Sequence, residues 1–161
     1  MTEFDDRLHD AISRGQQRGE RKARHKQEQA LNEEELKRLH SKHRLGLSEH
    51  IETCLQKLPH HFPGFSFETL FGDRGWGAAC SRDDIVLSGG KRDNLFTRLE
   101  VTVRPYSTYH VVDLAAKGTV RNKELFSRNH FVKIEEVDEA EFIELIDRWV
   151  LEFAELYAAQ K

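Results

Sequence analysis

Few side chains in this 161-residue chain stand at spacings that chemistry can use, and the histidines and two cysteines come first. Five of the nine histidines fall between His40 and His61, and on a continuous helix His43, His50 and Cys54 lie at i, i+7 and i+11 along one face. Neutral imidazoles and a thiolate are zinc ligands. A compact site needs ligands about one turn apart, and only His50 and Cys54 meet that condition. Solvated helix histidines are the simpler reading, so no metal is expected.

A thiol nucleophile needs a base in hydrogen-bond reach and a group that orients the base. Cys80, His110 and Asp113 have the right types on segments that read as neighbouring strands. His110 and Asp113 are an odd number of residues apart, which sends them to opposite faces of a regular strand. Cys80 also follows Gly77, Ala78 and Ala79, a run suited to close packing. No catalytic residue is assigned, and an enzyme built on Cys80 and His110 is the least favoured reading. The glycine clusters are no stronger. Gly72-x-x-Gly75-x-Gly77 lacks the dinucleotide spacing, and Gly89-Gly90-Lys91-Arg92 lacks the upstream glycine and the hydroxyl residue of a phosphate loop. Both read as turns, and no cofactor is expected.

A basic, aromatic-bearing surface is the better candidate. Arg98, Glu100, Thr102 and Arg104 alternate with Leu99, Val101 and Val103, so the charged set shares one strand face. Tyr106 and Tyr109 flank the next corner, and Arg121, Lys123 and Arg128 extend the patch if the following segment lies beside it. Arginines next to aromatics can pair with phosphates and stack on bases. The competing reading is a solvent face of cross-strand ion pairs. A second candidate is the N-terminal arm, where Phe4, Leu8, Ala11 and Ile12 fall on one helical face and can dock on a partner.

These residues must be positioned by elements the hydrophobic pattern supplies. Residues 1–30 read as a polar arm, helical or disordered, because apolar side chains nearly stop between Ile12 and Leu31 and Gly15 and Gly19 weaken a helix. Asn32 and Glu35 have capping-box spacing, with Leu31 and Leu36 as a staple, so a helix is expected to start there. Its stripe continues through Ile51, Leu55 and Leu58, and Pro59 is expected to end it. From Phe62 the period changes to two, with turn signals at residues 72–75, 81–84, 88–94 and 105–107. A further strand is expected over about residues 119–126, and residues 127–137 are ambiguous. Asp138 and Glu141 then cap a last helix whose Phe142, Ile146, Trp149, Val150, Phe153 and Tyr157 make one broad apolar face.

The expected fold is α+β: a helical N-terminal arm, a central antiparallel meander of about 5–6 strands, and an amphipathic C-terminal helix packed on the sheet. Residues 31–161 form its single domain. The bulk numbers fit, with 38% hydrophobic and 33% charged residues and a net charge of only −3. That near-neutral sum hides a basic segment at 13–26, with six Lys/Arg against one Glu, and an acidic end from 134 on. Two cysteines, no apolar leader and no membrane-length apolar run point to a cytoplasmic protein without membrane contact.

The resulting expectation is a non-enzymatic protein–protein interaction module, an adaptor or chaperone-like protein that works through its helical arm and a sheet surface, with a protein partner or a homodimer. The alternative is RNA or DNA binding through segment 13–26 and the sheet arginines.

Overall fold

In a computed structural model, which describes residues 2–160, Thr2 and Asp5 start the first helix by capping each other. The Asp5 amide donates to Thr2 Oγ1 at 3.2 Å, and the Thr2 amide donates back to Asp5 Oδ2 at 3.2 Å. This reciprocal pair is a capping box. Helix α1 then runs unbroken over Glu3–Gln56. The chain divides into two compact units between Arg38 and Leu39.

In the first unit the helix exposes every residue from 2 to 35, including Phe4, Leu8 and Ile12. Its Arg, Lys, Gln, Glu and Ala content suits a helix with nothing to bury. The helix start expected at Asn32 does not exist. Asn32 and Glu35 lie inside α1, and Leu31 is exposed rather than stapled.

The second unit holds the core. Leu47, Ile51 and Leu55, at the end of α1, are completely buried, at the 3.6-residue period expected of a packed face. Pro59 does not end this helix. It sits in the first turn of the short helix α2 (Leu58–His61), where a missing N–H costs nothing. Five antiparallel strands follow in the order of the chain: β1 (Ser66–Leu70), β2 (Trp76–Ser88), β3 (Lys91–Val103), β4 (Val111–Val120) and β5 (Lys123–Lys133). A 3-10 turn at Ile134–Glu136 leads to helix α3 (Glu139–Ala158). Asp138 caps α3 by accepting the Ala140 amide at 3.1 Å. Phe142, Ile146, Trp149, Val150 and Phe153 face the core as expected, and Tyr157 is half-buried.

Two stretches depart from the sequence pattern. Residues 81–84 continue β2 instead of turning, so β2 and β3 pair from Trp76–Val103 out to Ser88–Lys91. β1 reaches only to Ser81 and β4 only to Arg98, so the far half of this pair projects as a two-stranded ribbon. Polar residues at 82–84 fit because they find partners there: Arg82 Nε donates to Asp84 Oδ1 and its Nη1 to the Pro63 carbonyl, both at 2.8 Å. The strand expected over 119–126 is interrupted at Arg121 and Asn122, both left-handed at φ 48° and 69°. Asn122 then braces the ribbon. Its Oδ1 accepts the Phe96 amide at 2.8 Å, and its Nδ2 donates to the Asn94 carbonyl at 2.9 Å.

Alternation in β3 and β4 sends Leu99, Val101, Val103, Val112, Leu114 and Ala116 to one face, where all are buried. The end of α1 and α3 pack on that face. The Cys80 thiol donates to the Leu55 carbonyl at 3.0 Å. The guanidinium of Arg44 stands 4.0 Å from the Trp76 ring centroid. Among the described residues of the second unit, no helix packs on the opposite face. No helix among the described residues is long and apolar enough to cross a membrane.

Candidate functional site: the open sheet face and the α1–α3 seam

On the uncovered face the side chains arrange themselves in rows across the strands. Arg98 of β3 pairs with Glu68 of β1 at 2.8 Å, and its Nε is 4.0 Å from Glu100. Arg104 Nε lies 3.6 Å from Asp113 Oδ2, and the Arg104 amide donates to the Asp113 carbonyl at 2.8 Å. Asn129 of β5 extends that second row by donating to Asp113 Oδ1 at 3.4 Å. Exposed pairs of this kind contribute about 0–1 kcal/mol each. Their main effect is to neutralise the face.

A cavity of about 650 Å³ opens where the β3–β4 corner meets β5. Arg104, Tyr106, Tyr109, Val111, Asp113 and Phe131 line it. Tyr109 is 83% exposed and Phe131 62% exposed. A second hollow of about 390 Å³ shares Arg104 and Pro105 with it and continues over Thr102, Ala115 and Lys117. The two form one trough, apolar at the corner and polar toward the middle of the sheet.

Of the predicted surface residues, Arg104, Tyr106 and Tyr109 come together at this corner. Tyr106 also reaches the core side, with its ring 5.8 Å from His40 and 5.8 Å from His110. Arg98 lies six residues back along β3, opposite Thr119, about 20 Å from that corner, and does not join it. Arg121 sits beyond the opposite end of β4, so it does not extend the patch. Arg128 is on the other face. It pairs with Ala116 in register, carries its guanidinium 4.7 Å from the Phe126 ring centroid, and binds both carboxylate oxygens of Glu152 on α3, with Nη2 to Oε1 at 2.9 Å. The sequence reading missed Phe131 and Asn129, because residues 127–137 had no assigned strand and so no assigned face.

Cys80, His110 and Asp113 do not form a unit. Cys80 lies on β2 and Asp113 on β4, with β3 between them, and their side chains take opposite faces. Cys80 is completely buried, and burial pushes its thiol up to about 11. It offers no accessible thiolate.

The other cysteine has a different setting. His50 and Cys54, one turn apart on α1, face Asp147 of α3. His50 Nε2 stands 2.7 Å from Asp147 Oδ1, and the Cys54 Sγ is 3.4 Å from each of those two atoms. Burial first, and then the Asp147 carboxylate, push the Cys54 thiol up to about 11. Seven residues earlier, His43 Nδ1 meets Glu139 Oε1 at 2.8 Å. Both pairs advance in the same direction, so the end of α1 and α3 run parallel, joined along their edge by imidazole–carboxylate contacts. Asp147 could not be found from spacing, because nothing local links it to a helix 97 residues earlier.

Compared with known protein families, curated proteins and solved structures, the chain matches none.

Proposed function

We propose that this protein is a non-enzymatic protein–protein interaction module whose docking surface is the trough on the open sheet face. The observation that supports it is the exposure of Tyr109 and Phe131 in one cavity beside the Arg104–Asp113 pair. Large exposed aromatics next to a fixed charged pair fit the usual anatomy of a protein interface, an apolar anchor with a polar rim. The partner this surface suits brings an aromatic or aliphatic side chain to the corner and hydrogen-bonding groups to the Arg104–Asp113–Asn129 row. The exposed face of Phe4, Leu8 and Ile12 on the arm offers a separate apolar contact.

Nucleic-acid binding has less support. Counterion release requires cations that are free to neutralise phosphates, whereas Arg98, Arg104 and Arg128 each face a carboxylate. Segment 13–26 keeps its exposed basic residues, so salt-dependent RNA retention at low ionic strength is the check on that alternative.

The test is capture of partners by the full chain, read by native mass spectrometry, in the wild type and in a Tyr109→Ala/Phe131→Ala variant. A complex formed by the wild type and lost in the variant supports the reading. A monomer that retains no partner in any condition, or a complex indifferent to both substitutions, contradicts it.

A further inference from the structure

We propose that His50, Cys54 and Asp147 form a binding site for a divalent transition-metal ion of zinc's class. Their donor atoms all lie within 4.8 Å of one another. An imidazole nitrogen, a sulfur and a carboxylate oxygen are together the donor set that zinc and its neighbours take.

The size of the triangle is the first argument. With zinc–sulfur bonds of about 2.3 Å and zinc–nitrogen and zinc–oxygen bonds of about 2.0–2.2 Å, the edges of a tetrahedron are roughly 3.4–3.6 Å. Two edges here, sulfur to nitrogen and sulfur to oxygen, are already 3.4 Å. The third, nitrogen to oxygen, is 2.7 Å because a hydrogen bond spans it. Opening it takes a movement of about 0.7 Å, and Asp147 is free to make it because its side chain is 47% exposed.

The second argument is placement. His50 and Cys54 hold the i, i+4 spacing that puts two ligands on one helical edge, and α3 supplies the third from a fixed position across the seam. Charge balance is the third. A thiolate and a carboxylate in contact carry two negative charges, which a divalent cation neutralises. On binding, the Cys54 proton leaves to solvent and the His50 proton moves to Nδ1, freeing Nε2 for the metal.

The site is also reachable. A cavity of about 460 Å³ opens on Cys54 and Asp147, lined further by Leu58, His61, Phe62 and Leu151. Three protein ligands leave the fourth coordination position to a water or a small donor molecule in that cavity, the pattern of metal sites with an exchangeable ligand. The remaining thiol does not compete, because Cys80 is buried and donates to Leu55. This proposal is independent of the docking trough, which lies on the other face of the sheet.

The experiment is cobalt(II) titration of the reduced full-length protein, followed by absorbance, with zinc then added in competition. The expected result is one cobalt per chain, a thiolate-to-cobalt charge-transfer band with intense visible bands of a four-coordinate ion, and displacement by zinc. Cys54→Ser should abolish the charge-transfer band. Asp147→Asn, which keeps the shape and changes a partly exposed residue, should weaken affinity at least tenfold, with circular dichroism confirming that both variants fold. No charge-transfer band in the reduced wild type overturns the site. So does a band that survives Cys54→Ser, or an affinity unmoved by Asp147→Asn.

Discussion

The imidazole of His43 on α1 and the carboxylate of Glu139 on α3 meet at 2.8 Å, with His43 largely buried and Glu139 at the exposed first turn of its helix. Together with His50 and Asp147 this contact fixes the register of two parallel helices that share one face of the sheet. Parallel neighbours cannot be joined by a short turn, and here the whole meander lies between them.

Breaking this tie should cost a measurable amount. Glu139→Gln or His43→Ala is expected to lower the unfolding free energy by about 0.5–1.5 kcal/mol. In a double-mutant cycle read by urea denaturation, the two losses should not add.

Gly46 tests the same contact from the backbone. A Cβ there would stand 3.1 Å from Glu139 Oε2, the far end of a flexible side chain. Gly→Ala in a helix is worth about 1 kcal/mol, but here it displaces the carboxylate from His43. Gly46→Ala should therefore be close to neutral in the wild type and stabilising by about 0.5–1 kcal/mol in a Glu139→Ala background. Calorimetric melting of the four proteins checks both signs.

The core is less forgiving. Phe142 is fully buried under the sheet, and Phe142→Ala should cost about 3–5 kcal/mol. At Gly77, a Cβ would run into the Val101 carbonyl oxygen of the paired strand. Gly77→Ala should cost about 3 kcal/mol or more, because the obstacle is backbone. Equilibrium denaturation measures both.

Acidic pH should destabilise the protein through His40. Its burial, with Arg44 and His43 nearby, holds its pKa below the ordinary value of about 6.5 despite a contact with the Arg104 backbone. The unfolded chain therefore binds a proton that the native state refuses, and stability falls as pH drops below about 6.5 toward the native value. His40→Phe should flatten that fall. Urea midpoints for wild type and variant between neutral and mildly acidic pH give the comparison, and parallel curves would exclude His40 as the cause.

How much of this was legible in the sequence depends on how local each feature is. The α3 cap at Asp138 and its apolar face were readable because every residue involved lies within one helix. The meander was readable from strand alternation and turns. The continuity of α1 was not, because Asn32 and Glu35 match a cap signal that only matters where a helix begins. Ser81–Asp84 resembled a turn because these residues are polar for another reason: Arg82 and Asp84 pair with each other at the base of the ribbon, and Arg82 also holds the Pro63 carbonyl. Arg128 was expected only to extend the patch if its segment lay alongside; the β4–β5 register shift between Gly118 and Thr119 turns its side chain toward α3 instead, and that shift leaves no mark in composition. Arg104, Tyr106 and Tyr109, picked out from the sequence, do meet at one corner, whereas Phe131 and Asp147 come beside their neighbours only through tertiary packing.

The docking reading is tested most directly by hydrogen exchange on the full chain, free and with its captured partner. The account predicts slowed exchange at Ser107–Val111 and Asn129–Lys133, around Tyr109 and Phe131, with little change in α3. Protection confined to α3 or the projecting ribbon, or no protection at that corner, would contradict it.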